Sequence, residues 1–171
     1  MFVIVHRQKK YARRKQLVVT SDEPLDQNVI VAAKPPQPLP GSEAGPGLLA
    51  HVLVSKHHDH LPLHRQERIL ARHGVRFSRQ TLCDWCAGCT KLFDPLVSLI
   101  RSGGLAIGRR NWLFVGSEQS GHTVPTILTL IATAIRHSLD PFAYLRDLLR
   151  RLPTTAESDL VTLLPNHWHP K

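Results

Sequence analysis

The sequence lacks the short signatures that usually mark an enzyme. It holds no Gly-x-Ser-x-Gly, no phosphate loop and no dinucleotide fingerprint, so nucleophilic and nucleotide chemistry have no local signature here. Its 13 acidic residues are scattered without evident pairing. Carboxylates that hold two metal ions must meet in space from separate strands, and this sequence offers too few strands to stage them. Cysteine is scarce and bunched: Cys83, Cys86 and Cys89 are an odd number within seven residues, which excludes a disulfide framework. No apolar run approaches the roughly 18 residues of a membrane span. The opening MFVIVHRQKKYARRK places a short apolar run before its charges, the reverse of a secretory signal. The expected location is the cytoplasm, with no membrane and no small-molecule substrate.

Positive charge is what the chain has in excess. In 171 residues there are 22 Lys and Arg against 13 Asp and Glu, a formal charge of +9. A basic protein of this size commonly meets polyanions, and nucleic acid is the first candidate. The hydrophobic share of 42% is slightly low for a compact globule but outside the disordered range. The length suits one ordinary domain or two small ones.

Residues 1–20 carry Arg7, Lys9, Lys10, Arg13, Arg14 and Lys15 and no acid. Phe2–Val5 and Leu17–Val19 favour extended structure, which predicts two short strands with a basic connection. Pro35, Pro36, Pro38 and Pro40 predict a stiff extended linker. From Pro46 the pattern is helical, with Leu48, Leu49, Val52 and Leu53 on one face. Pro62 interrupts the next segment, and a helix follows from about Leu63 to His73. Gly74 sits where a left-handed cap is wanted, and Ser78 is a good N-cap for a long helix carrying Leu82, Trp85, Leu92, Phe93, Leu96, Val97 and Ile100. Ser102-Gly103-Gly104 breaks the pattern, and Asn111–Val115 reads as a short strand. A helix over Thr123 to about His137 places Ile127, Leu128, Ile131, Ala134 and Ile135 on one side. Asp140-Pro141 is a sharp helix start, with Phe142, Leu145, Leu148, Leu149 and Leu152 as the apolar stripe. A last short helix spans about Ser158 to Leu164.

Three clusters invite a chemical reading. Arg65 to Cys89 has the outline of a helix-turn-helix, whose second helix would present Arg79, Gln80 and Asp84 to base edges. Arg76 and Lys91 would hold phosphates. The same outline also fits an αα-hairpin with a solvated charged face. Cys83-x-x-Cys86-x-x-Cys89 resembles a metal motif, but three residues advance a helix by about 300°, so Cys89 drifts away from Cys83. Small thiols packed within a helix are the simpler reading. His57, His58, His60 and His64 include a pair four apart, as in helical zinc sites, yet Pro62 lies between His60 and His64. The cluster reads as a polar helix end.

Two long stretches carry a resemblance. GPGLLAHVLVSKHHDHLPLHRQERILARHGVRFSRQTLCDW (residues 45–85) closely resembles the central region of transposases of the insertion-sequence-66 family. AIGRRNWLFVGSEQSGHTVPTILTLIATA, DPFAYLRDLLRRLP and the ending LLPNHW look like that family's C-terminal region. VHRQKKYARRK followed by KPPQPLPG resembles the end of its N-terminal zinc-binding segment. The resemblance implies DNA transposition by an Asp-Asp-Glu carboxylate set holding magnesium on a ribonuclease-H-like sheet. The departures are as informative. Arg13 and Gln16 stand near Tyr11 where a cysteine pair is expected, and neither makes a thiolate, so the zinc site should not form. Leu99 falls near the position of the family's Glu, and Leu105 directly follows the glycine pair. The intervening sheet is missing, as after an internal deletion, and no catalytic residue carries over.

The expected fold is mainly α. It comprises a helical hairpin or helix-turn-helix segment, a small C-terminal helical module and a short N-terminal β arm, with the ribonuclease-H-like core absent. The expected parts are a basic N-terminal remnant (1–33), a Pro-rich linker (34–44), a central helical region (45–101), a junction with a short strand (102–121) and a C-terminal helical module (122–171). Trp112, Leu113 and Phe114 would have covered the missing sheet, so they must pack on the remaining helices, pair with another chain or promote aggregation. The expected function is that of a truncated transposase that attaches to DNA and does not cut it. Lys9, Lys10, Arg13, Arg14, Arg76, Arg79, Gln80, Lys91, Arg109 and Arg110 are the expected DNA contacts. No metal or other cofactor is expected in this fragment. Expected partners are DNA, at transposon ends, and full-length transposase or a second copy. Two alternatives remain at this point: a non-catalytic DNA-binding regulator of transposition, and a Cys/His metal-binding protein.

Overall fold

In the computed structural model the described residues are Val5, Arg7, residues 9–12, 29–31, 35–102 and 118–169. The chain divides into two units, Met1–Pro36 and Gln37–Lys171. In the first, β1 (Lys10–Ala12) and β2 (Val29–Val31) pair antiparallel, with Tyr11 opposite Ile30. This corrects the expected arm: the basic stretch read as a connection is itself a strand. Most of the expected strands, Phe2–Ile4 and Leu17–Val19, lie outside the described residues.

The second unit is helical, so the fold is mainly α. Its elements are α1 (Pro46–His57), α2 (Leu63–Arg72), α3 (Arg79–Ser102), α4 (Glu118–Arg136) and α5 (Pro141–Arg151). A 3-10 turn over Leu152–Thr154 and a 3-10 helix over Glu157–Leu163 follow. α1 sits at the centre and packs against α2, α3, α4 and α5. Its sequence explains this: Leu49, Ala50, Val52, Leu53, Ser55 and His57 are all buried, and a helix that is apolar around most of its circumference has to be interior. α3 contributes Leu82, Trp85, Cys86, Cys89, Phe93, Leu96, Val97 and Ile100 to the same core.

The Pro-rich stretch is not uniformly extended. Pro38 is buried, Ser42 N–H donates to Leu39 O at 3.1 Å, and Gly41 has φ +75°. Leu39 lies against Gly88, where an added Cβ would come within 2.9 Å of its Cδ2. Glycine in the middle of α3 is what admits this contact.

α4 corrects its expected stripe. Thr126, Ile127, Leu130, Ile131, Thr133 and Ala134 are buried, whereas Ile135 is 46% exposed and Leu128 is half-buried. Threonine can replace the expected aliphatics inside because its hydroxyl finds a carbonyl four residues back. Thr129 Oγ1 donates to Pro125 O and Thr133 Oγ1 to Thr129 O, each at 2.7 Å.

The C-terminal residues close on α5. Tyr144 Oη donates to Leu163 O at 2.8 Å, and Trp168 Nε1 donates to Asp147 Oδ2 at 2.7 Å. The Tyr144 and Trp168 rings meet edge to face at 5.5 Å, a favoured geometry for aromatic pairs. The last helix is 3-10 rather than α. Three residues per turn bring Leu160 and Leu163 onto one side, and both are buried.

Candidate functional site

α2, the turn after it and the start of α3 form the segment most exposed in its charges. Leu63, Gln66 and Leu70 are buried, while Arg65, Arg68 and Arg72 are exposed. At 100° per residue the two sets lie on opposite sides of α2. Gln66 fixes the inner side: its Nε2 donates to Val52 O at 3.3 Å and to Leu61 O at 3.0 Å. One amide thus ties α2 to α1 and to the loop between them.

The turn is built as its sequence requires. Gly74 has φ +80°, its N–H donates to Ala71 O, and Val75 N–H donates to Leu70 O. This is the paired arrangement that ends a helix on a left-handed residue. Ser78 caps α3 by accepting from Thr81 N–H at 3.1 Å. Phe77 and Trp85 turn inward and meet at 4.7 Å.

Among the expected contact residues, Arg76, Arg79, Gln80 and Lys91 are exposed on this segment. Gln80 and Lys91 fall on one face of α3, about 16 Å apart along its axis. Gln80 Nε2 donates to Asp84 Oδ1 at 2.8 Å, so a base would have to replace that partner. Lys9 and Lys10 are exposed in the first unit. Arg13, Arg14, Arg109 and Arg110 lie outside the described residues, as does the Asn111–Val115 segment with Trp112, Leu113 and Phe114.

Arg65, Arg68 and Arg72 were missed as candidates. Their spacing of three and four was the available signal, since it places them on one helical face. Among the described residues they have no partner, as is also true of Arg101, Arg136 and Arg150, but here three such groups share one face of a single helix. Arg151 pairs with Asp147 at 3.2 Å and Arg146 stacks over Phe142 at 5.6 Å. Among the described residues, Arg65, Arg68, Arg72, Arg76 and Arg79 make no hydrogen bond or ion pair.

The cysteines and histidines separate. Cys86 and Cys89 are buried and Cys83 is exposed, so the three thiols do not converge. Burial pushes the Cys86 thiol up to about 11 and the Cys89 thiol up as well, which keeps both protonated and unreactive. His57 is not part of a polar helix end, as expected, but is buried at 6% exposure. Burial, with the charges of Lys56 and His60, lowers its pKa from 6.5 to about 3. His58, His60 and His64 are exposed, and His60 adopts a left-handed φ of 54° ahead of α2. Among the described residues no three His, Cys, Asp or Glu side chains group as a metal site. Several carboxylates are engaged locally. Asp140 caps α5 through Ala143 N–H at 2.8 Å, Asp94 accepts from Thr126 Oγ1 at 3.3 Å, and Asp84 and Asp147 hold the partners named above. The described residues therefore do not fit a two-metal carboxylate centre. No described helix is long and apolar enough to cross a membrane.

Comparison with known proteins places this geometry. Residues 41–105 match the Transposase IS66 family, and residues 129–166 match the IS66 C-terminal element. Three relatives come from Sinorhizobium fredii (strain NBRC 101917 / NGR234). The uncharacterized protein y4hP is 39% identical over 64 residues, 37% of this chain and 12% of that protein. The uncharacterized protein y4jD is 41% identical over 66 residues, 37% of this chain and 13% of that protein. The uncharacterized protein y4qI is 37% identical over 83 residues, 48% of this chain and 14% of that protein. The chain thus spans only about an eighth of the length of these relatives. No solved structure matches. With the first segment covering α1 to α3 and the second covering most of α4, α5 and the 3-10 helix, the chain belongs to the IS66 transposase family.

Proposed function

We propose that this protein is an internally deleted transposase that attaches to DNA and does not cut it. The observation that carries the reading is the exposed, unpartnered arginine set on α2, the turn and the start of α3. Phosphate neutralisation by such groups supplies most of the affinity for duplex DNA. Arg79 and Gln80 occupy the first turn of α3, the part of a recognition helix that reaches base edges. Arg pairs with guanine and Gln with adenine by two-pronged hydrogen bonds. Base reading by Gln80 requires exchange of its Asp84 bond for one to a base. Two observations support the absence of strand cutting: Asp84, Asp94, Asp140 and Asp147 are engaged in caps and side-chain bonds, and among the described residues no three carboxylates gather as two cations would need. The inward Cys86 and Cys89 weigh against a metal-binding role.

Fluorescence anisotropy of the full chain with duplex DNA tests the reading. Binding should be evident at 50 mM salt and fall steeply by 200 mM. Replacing Arg79 and Gln80 by Ala should abolish preference for a sequence enriched from a random duplex pool, with a smaller loss on other sequences. Equal loss on all sequences would rule out base reading.

A further inference from the structure

We infer that the outer face of α2 is a phosphate-tracking surface for duplex DNA, built by Arg65, Arg68 and Arg72. None of the three was suggested by the helix-turn-helix outline, which directs attention to α3. The inference rests on the DNA-attachment reading above and assigns the larger share of the affinity to a different helix.

Four observations lead there. Arg65, Arg68 and Arg72 are exposed, share one face, and lie opposite Leu63, Gln66 and Leu70. The three span about 10 Å of helix axis, a distance that covers more than one phosphate of a duplex strand. They have no ion-pair or hydrogen-bond partner among the described residues; Arg101, Arg136 and Arg150 have none either, but those are single positions on separate helices, while Arg146 and Arg151 of α5 are engaged within the protein. The face is also held rigidly. Gln66 bonds Val52 O and Leu61 O from the inner side, and Gly74 and Ser78 fix the turn that follows. A rigid set of guanidinium groups loses less freedom on binding than a mobile tail would.

The outer face of α3 contrasts with this. Beyond its first turn α3 carries Asp84, Lys91, Asp94 and Arg101, two charges of each sign, so it offers little net attraction. Within this segment the net positive charge lies on α2, where Arg65, Arg68 and Arg72 outnumber Glu67, and on Arg76 and Arg79. In a helix-turn-helix the first helix crosses the phosphate backbone while the second reads bases, and the division of charge here follows that plan.

The occupant is a duplex rather than a single strand. Single-stranded nucleic acid is held by exposed aromatic platforms on which bases stack. The aromatics of this segment, Phe77 and Trp85, are packed against each other, and Trp85 is buried. They leave no ring on this face for a base.

The test compares three forms of the full chain by anisotropy over a salt series: wild type, Arg65→Gln/Arg68→Gln/Arg72→Gln and Arg65→Lys/Arg68→Lys/Arg72→Lys. Losing three phosphate contacts should flatten the slope of log affinity against log salt by about 2–3 and weaken binding on the order of 100-fold at 0.1 M salt. The Lys form should keep the slope of the wild type. Far-ultraviolet circular dichroism reports whether each form stays folded, and should the Gln form unfold, the Lys form against single Arg→Gln changes gives the same reading in steps of about 1 in slope. A wild-type chain that leaves the duplex unbound at 50 mM salt overturns both this inference and the DNA-attachment reading. Wild-type binding with an unchanged slope in the folded Gln form overturns the inference alone. Failure of the Lys form to keep the slope overturns the phosphate assignment, and stronger competition by single-stranded RNA of equal length overturns the duplex assignment.

Discussion

His57 Nε2 and Gln66 Oε1 are buried atoms that find no hydrogen-bond partner, and they frame the junction of α1 and α2. Interior polar atoms of this kind are costly unless bonded. For His57 the consequence is a pH dependence. The unfolded chain takes up a proton near 6.5, and the folded chain does so only near 3. Between those values the unfolded state binds more protons, so stability is fully present above 6.5 and is lost as pH falls through the window. Urea unfolding at pH 7 and pH 4.5 should show a clear loss of stability, and His57→Leu should flatten that difference. Gln66 acts through the amide that holds Val52 O and Leu61 O. Gln66→Ala should lower stability by about 1–3 kcal/mol, seen as a lower urea midpoint at unchanged slope. An unaltered midpoint would mean that the two bonds contribute nothing net.

Among the elements, the C-terminal module depends on one carboxylate. Asp147 accepts from Arg151 and from Trp168 Nε1, and so links α5 to the end of the chain beside the Tyr144 ring. Asp147→Ala leaves the indole N–H without its partner and should cost about 1–3 kcal/mol, with a change in tryptophan fluorescence as Trp168 becomes exposed. Fluorescence and midpoint both unchanged would remove Asp147 from that role. The elements also show what a sequence can disclose. Gly74, Ser78 and Asp140 were legible as caps because each acts on residues within four positions of itself. Buried Thr129 and Thr133 of α4 were not, because their hydroxyls become tolerable inside only once the helix supplies a carbonyl. Leu39 against Gly88 and Gln66 against Val52 depend on segments distant in sequence, and no local pattern marks them. Lys10–Ala12 was missed as a strand because its composition is basic rather than β-branched. At the candidate site, Arg76, Arg79, Gln80 and Lys91 were legible as exposed polar positions. The spacing of Arg65, Arg68 and Arg72 put them on one face, but that this face looks away from Leu63, Gln66 and Leu70 into open surface is a property of the folded chain.

For the whole molecule, charge and chemistry part company. Two segments of one transposase family are present, and between them they carry helices, caps and an arginine face, while several of the described carboxylates serve local structure. A protein so composed should hold DNA without altering its strands. Incubation of the full chain with a supercoiled plasmid and magnesium, followed by electrophoresis with and without removal of protein, tests this most directly. The account predicts retarded plasmid before deproteinisation and fully supercoiled plasmid after it. Magnesium-dependent nicked or linear plasmid after deproteinisation, or plasmid that is never retarded at low salt, would contradict it.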